Sequence, residues 1–150
     1  MSVAFRRESD EEHKEPRFEL PLPAGPNLVT PAGQALIETR LADLERALDA
    51  AEGEAADAVR RDLRYWKTRR ATAIVTAPPA DGTVGFGSTV DIEMAGRRRS
   101  IAIVGDDEAE PKADRIAFTA PLARALIGGE AGERVAFGGK EDAILIVGVA

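Results

Sequence analysis

Two apolar stripes at helical spacing, one on either side of Gly53, limit what this chain can become. Ile37, Leu41, Leu44 and Leu48 recur at steps of four, three and four, and Val59, Leu63 and Trp66, with Ala73 and Ile74 further along, repeat the pattern after the glycine. Each stripe is narrow and charged residues fill the remaining faces, so neither helix has enough apolar surface to bury on two sides. An antiparallel helical hairpin, a short coiled coil in which each stripe covers the other, satisfies both. Thr30 followed by Pro31 marks its start, as an N-cap and a first helical residue. The hairpin is expected over residues 30–75.

The flanking segments obey other rules. Residues 1–29 are charged and then proline-rich, with Pro16, Pro21, Pro23 and Pro26 denying helix and central-strand pairing. They read as an extended tail whose Phe18, Leu20 and Leu22 are the side chains available to dock on the body. Residues 76–83, with Pro78, Pro79, Asp81 and Gly82, read as a linker. From Val84 onward short apolar runs alternate with turns. Residues 89–94 and 99–104 flank Ala95, Gly96, Arg97 and Arg98 as a β-hairpin, and residues 116–118, 135–137 and 143–149 supply further strands, the last two joined through Gly138 and Gly139. A helix over residues 121–127 opens at Pro121 and closes at Gly128. The fold class is α+β, a helical hairpin followed by an antiparallel sheet domain with one short helix over residues 84–150.

The residue inventory narrows the chemistry. The chain has no cysteine, which excludes disulfides and thiolate zinc sites, and its single histidine, His13, excludes a histidine-based triad or a multi-histidine metal site. Any metal would have to be held by carboxylates. No nucleophile with a partner base and no cofactor loop is evident, so an enzyme in its own right is not expected. The net charge of -6 argues against a duplex-DNA binder held by phosphate contacts. No apolar run approaches the roughly 20 residues needed to cross a bilayer, and the first residues lack the apolar core of a secretory signal. A cytoplasmic location is expected.

The stretch 103–128, which carries Gly105, Asp106, Asp107 and Glu108 and then Thr119, Ala120 and Pro121, resembles the C-terminal domain of the bacterial Gre transcript-cleavage factors, GreA and GreB. Phe86, Gly87, Ser88, Thr89 and Val90 before it, and Gly132, Glu133, Arg134 and Val135 after it, extend the resemblance in the family's order. Thr30, Gly33, Ile37, Leu41 and Leu44 fall where the family opens its coiled coil, and Ala73, Ile74 and Val75 fall where that coil returns to the globular domain. The resemblance implies an FKBP-like sheet domain without prolyl isomerase activity. It also implies RNA polymerase as partner, at the rim of the secondary channel, with indirect contact to nucleic acid and none to membrane. Thr119, Ala120 and Pro121, with the acidic turn Asp106, Asp107 and Glu108, are then the polymerase-binding residues. Ala120 stands where the family commonly has serine, a lost N-cap costing about 1 kcal/mol unless Thr119 substitutes.

At the hairpin tip, Gre factors present carboxylates that help hold a magnesium ion in the polymerase active site. Asp49, Glu52, Glu54 and Asp57 are the corresponding metal candidates, although solvated helix ends are commonly acidic and Glu54 and Asp57 also suit the positive end of the second helix. The family's tip motif is absent and the hairpin is several turns shorter, so binding to polymerase without efficient cleavage is expected. No resident cofactor is expected. The second helix carries Arg60, Arg61, Arg64, Lys67, Arg69 and Arg70 against Asp62, either a face for acidic channel walls or nucleic acid, or a solvated face paired with Glu38, Asp43 and Glu45. Rnk, a short-coil relative without cleavage activity, and a stand-alone protein- or RNA-binding module are the alternative readings.

Overall fold

The computed structural model describes residues 19–150. In order they form β1 (Leu28–Val29), α1 (Pro31–Ala50), α2 (Gly53–Thr72), β2 (Ile74–Val75), β3 (Thr89–Met94), β4 (Arg97–Val104), single-turn 3-10 helices at Asp106–Glu108 and Pro111–Ala113, β5 (Arg115–Ala117), α3 (Pro121–Leu126), β6 (Arg134–Phe137) and β7 (Lys140–Val149). Residues 19–25 and 37–72 make one compact unit, and residues 26–36 and 73–150 a second.

In the first unit, early α1 lies beside late α2. The Arg40 guanidinium stands 5.5 Å from the centre of the Trp66 ring, and Glu38 pairs with Arg70 at 3.5 Å, so the two helices run antiparallel as expected. Gly53 makes the reversal with a φ of +61°, a left-handed conformation that costs glycine little. Ile37, Leu41 and Leu63 are buried, together with Ala56 one heptad before Leu63. Leu44, Leu48, Val59 and Trp66 are only half-buried, because a two-helix seam has no third wall to close over them.

The expected basic face of α2 needs correction. Arg69 is only 3% exposed, its guanidinium 5.9 Å from the centre of the Tyr65 ring. It follows Trp66 by three residues and so shares its side of the helix. Of the others, Arg60 pairs with Asp57 at 3.0 Å, Arg64 with Glu19 at 2.8 Å and Arg70 with Glu38, while Asp43 pairs with Arg46 on its own helix. The Arg64 hydrogen bonds hold Glu19 below the usual carboxylate range. They also tie the proline-rich segment to α2, with Leu20 half-buried and Leu22 exposed. Phe18 lies outside the described residues.

The second unit is a five-stranded sheet in the order β5-β4-β3-β7-β6. Strand bounds fall within a few residues of those expected, but the sheet is mixed: β5 runs parallel to β4, with Ile103 opposite Ile116. A parallel return needs a crossover, and the two 3-10 helices supply it. Alternation along β3, β4 and β7 turns Val90, Ile92, Ile101, Ile103, Ile144 and Ile146 to one face, where Ala123 and Leu126 of α3 cover them. A second sheet was not foreseen. Leu28 and Val29, read as the end of the tail, pair in parallel with Ile74 and Val75, read as the end of the hairpin. The linker is also packed, since a Cβ on Gly85 would stand 2.5 Å from Pro79 Cγ.

Candidate functional site

The acidic turn and the start of α3 are brought together within the second unit. Thr119 Oγ1 donates a hydrogen bond to Asp106 Oδ1 at 2.9 Å, joining two segments thirteen residues apart. Thr119 is thereby committed to Asp106 and does not cap α3. Ala120 is the N-cap and makes no side-chain bond, while its carbonyl accepts from the Arg124 N–H at 2.9 Å. Pro121 occupies the first helical position, where a missing N–H costs nothing. Asp106, Asp107 and Ala120 are half-buried, and Thr119 and Pro121 are exposed. The ring of Phe118, the residue before Thr119, meets the Phe86 ring edge to face at 5.4 Å.

Glu108 has a different place from its neighbours in the sextet. Its carboxylate turns inward, accepting from the Thr30 N–H at 2.9 Å, from the Gly105 N–H at 3.2 Å and from the Thr30 hydroxyl. The Thr30 hydroxyl in turn accepts from the Gly33 N–H at 3.0 Å. Together these bonds make a capping box assembled from distant parts of the chain. In the ordinary box, a glutamate at the third helical position reaches back to the N-cap N–H. Here that position is Gly33, and Glu108 does the work from 78 residues away. A Cβ on Gly33 would lie 2.2 Å from Glu108 Cδ, which is why glycine stands there. Gly105 is equally confined, since its Cβ would lie 2.4 Å from the Leu28 carbonyl oxygen. Glu108 is therefore an internal anchor of the acidic turn. The sequence held one hint of it: a threonine cap whose third position lacks the expected carboxylate.

At the hairpin tip Asp49, Glu52, Glu54 and Asp57 are all exposed, and Asp57 is engaged by Arg60. Among the described residues no three acidic side chains converge into a group able to hold a metal ion. Glu54 lies in the first turn of α2, where its charge complements the helix dipole. The four carboxylates are thus exposed to solvent, Asp57 already paired with Arg60.

Comparison with known proteins bears on the second unit above all. Residues 79–148 match the family described as transcription elongation factor, GreA/GreB, C-terminal. The chain is 48% identical over 73 residues to the transcription elongation factor GreA of Thioalkalivibrio sulfidiphilus, an overlap of 45% of this chain and 46% of that protein. It is 36% identical over 104 residues to the GreA of Pseudomonas aeruginosa, covering 68% of this chain and 54% of that one. The chain thus spans about half the length of these curated relatives. Among solved structures, GreA factor homolog 1 of Thermus thermophilus overlaps 84% of this chain and 99% of its own, at 17% identity and a TM-score of 0.41.

Proposed function

We propose that this chain, whose residues 79–148 match the GreA/GreB C-terminal family, binds RNA polymerase at the rim of the secondary channel to modulate elongation or initiation. The docking surface is the one built by Asp106, Asp107, Thr119, Ala120 and Pro121. The observation that carries this reading is the hydrogen bond from Thr119 to Asp106, which fixes both segments of the family's contact motif as one surface. A preformed surface binds without the cost of ordering its loops.

The factor acts without efficiently stimulating transcript cleavage. Each helix of the hairpin has 20 residues, a reach of about 30 Å. The tip acids do not form a ready ligand set, and magnesium needs oxygen ligands held at about 2.0 to 2.1 Å. No step is assigned to a metal at this tip. Nor does the basic helix strengthen the case, because its arginines are largely paired or buried within the hairpin's own unit.

The test uses the full chain. Immobilised protein should capture core RNA polymerase, and Thr119→Asp, which sets a second carboxylate against Asp106, should weaken capture by about tenfold, ~1.4 kcal/mol, with circular dichroism unchanged. Undiminished capture by that variant would move the docking surface elsewhere, and no capture by the wild type would sink the proposal. On stalled elongation complexes the wild type should leave cleavage near its intrinsic rate. Robust cleavage, lost when Asp49, Glu52, Glu54 and Asp57 are changed to alanine, would overturn the second half of the proposal.

A further inference from the structure

We infer that the open edge of β4 is a strand-addition site for an extended acidic peptide segment of a partner protein, separate from the surface around Thr119. Backbone direction along β4 is fixed by two hydrogen bonds. The Ile103 N–H points to β3, where it donates to the Ser88 carbonyl at 3.0 Å, and the Ala102 N–H points the other way, to the Asp114 carbonyl at 2.9 Å. Alternation along a strand then turns the N–H and C=O groups of Arg98 and Ser100 away from β3. On that side β5 pairs only with Ala102, Ile103 and Val104. The first half of β4 is therefore an edge on that side, where among the described residues nothing pairs with it.

The side chains along this edge specify the visitor. Arg97, Arg98 and Ser100 are exposed and Arg99 is half-buried, its guanidinium 2.9 Å from Asp114. Asp91, Arg98, Arg99 and Ser100 line a shallow groove of about 240 Å³ beside it. Arg97 and Arg99 lie on one face of the sheet and Arg98 on the other, so an added strand bearing carboxylates at alternate positions meets Arg97 or Arg98 according to its register. A second copy of this chain is disfavoured, because two such edges would bring arginine against arginine. Nucleic acid is disfavoured too: it cannot satisfy alternating N–H and C=O groups, and Asp91 and Glu93 stand on the same sheet face, opposite Ser100 and Arg98.

The experiment uses a fluorescent peptide of alternating glutamate and valine with the full chain. Saturable binding should appear, with the amides of Arg98 and Ser100 becoming protected from hydrogen exchange. Methylating alternate peptide nitrogens, which keeps the charge and removes the ladder, should weaken binding at least tenfold. Arg97→Glu with Arg98→Glu, substitutions at exposed positions, should weaken it similarly while leaving capture of polymerase unchanged. Binding insensitive to methylation would show charge attraction alone and overturn strand addition. Tighter binding of a uridine oligonucleotide than of the peptide, or no protection at Arg98 and Ser100, would overturn it as well.

Discussion

Replacing Glu108 with alanine should lower stability by about 2 to 4 kcal/mol, read as a shift in the urea midpoint followed by circular dichroism. The carboxylate serves three donors, the Thr30 N–H, the Thr30 hydroxyl and the Gly105 N–H, and hydrogen bonds to a charged acceptor are the stronger kind. A more exacting result follows from Gly33. In the wild type, Gly33→Ala should destabilise, because the new Cβ displaces the Glu108 side chain. With Glu108 already alanine the clash is gone, and the same substitution should stabilise by up to about 1 kcal/mol through better helix propensity. The change of sign is the signature of direct contact. Additive effects in the two backgrounds would mean that glycine at position 33 answers to something other than this carboxylate.

In the hairpin, Leu41→Ala or Leu63→Ala should each cost about 2 to 4 kcal/mol. Both side chains are buried, at 3% and 5% exposure, and the seam that buries them is one layer deep. Half-buried Leu44 has less to lose, so Leu44→Ala should cost clearly less than Leu41→Ala on the same helix. The loss should appear in a probe of helix content before it appears in the sheet. Equal costs for Leu41 and Leu44, or melting like the parent, would show that the stripe is not a buried seam.

What the sequence disclosed depended on the range of the interaction that decides each element. The hairpin was legible because its stripes repeat within a turn or two, and β3, β4 and β7 because alternation and the turns at Ala95, Gly96, Gly138 and Gly139 are local. Leu28 and Val29 carry too few residues to show any period, and their partners Ile74 and Val75 lie beyond the whole hairpin. The direction of β5 relative to β4 depends on how the intervening turns cross over, which composition does not encode. Charge is a poor guide to exposure at Arg69, whose position three residues after Trp66 decides its burial. At the candidate surface, the resemblance assembled Asp106, Thr119, Ala120 and Pro121. It did not distinguish Glu108, whose inward turn is set by Thr30 and Gly33, residues from another part of the chain.

That distance has a consequence for the order in which the protein can form. Contacts within the hairpin close over short loops, and helix formation takes microseconds or less. The capping box on the first helix is completed only when residue 108 meets residue 30, 78 positions earlier in the chain. At a ribosomal rate of 5 to 20 residues per second, that glutamate is synthesised roughly 4 to 16 seconds after the threonine it serves. During synthesis, then, the hairpin exists first with a frayed beginning. Arrival of the acidic turn is what locks its first turn in register.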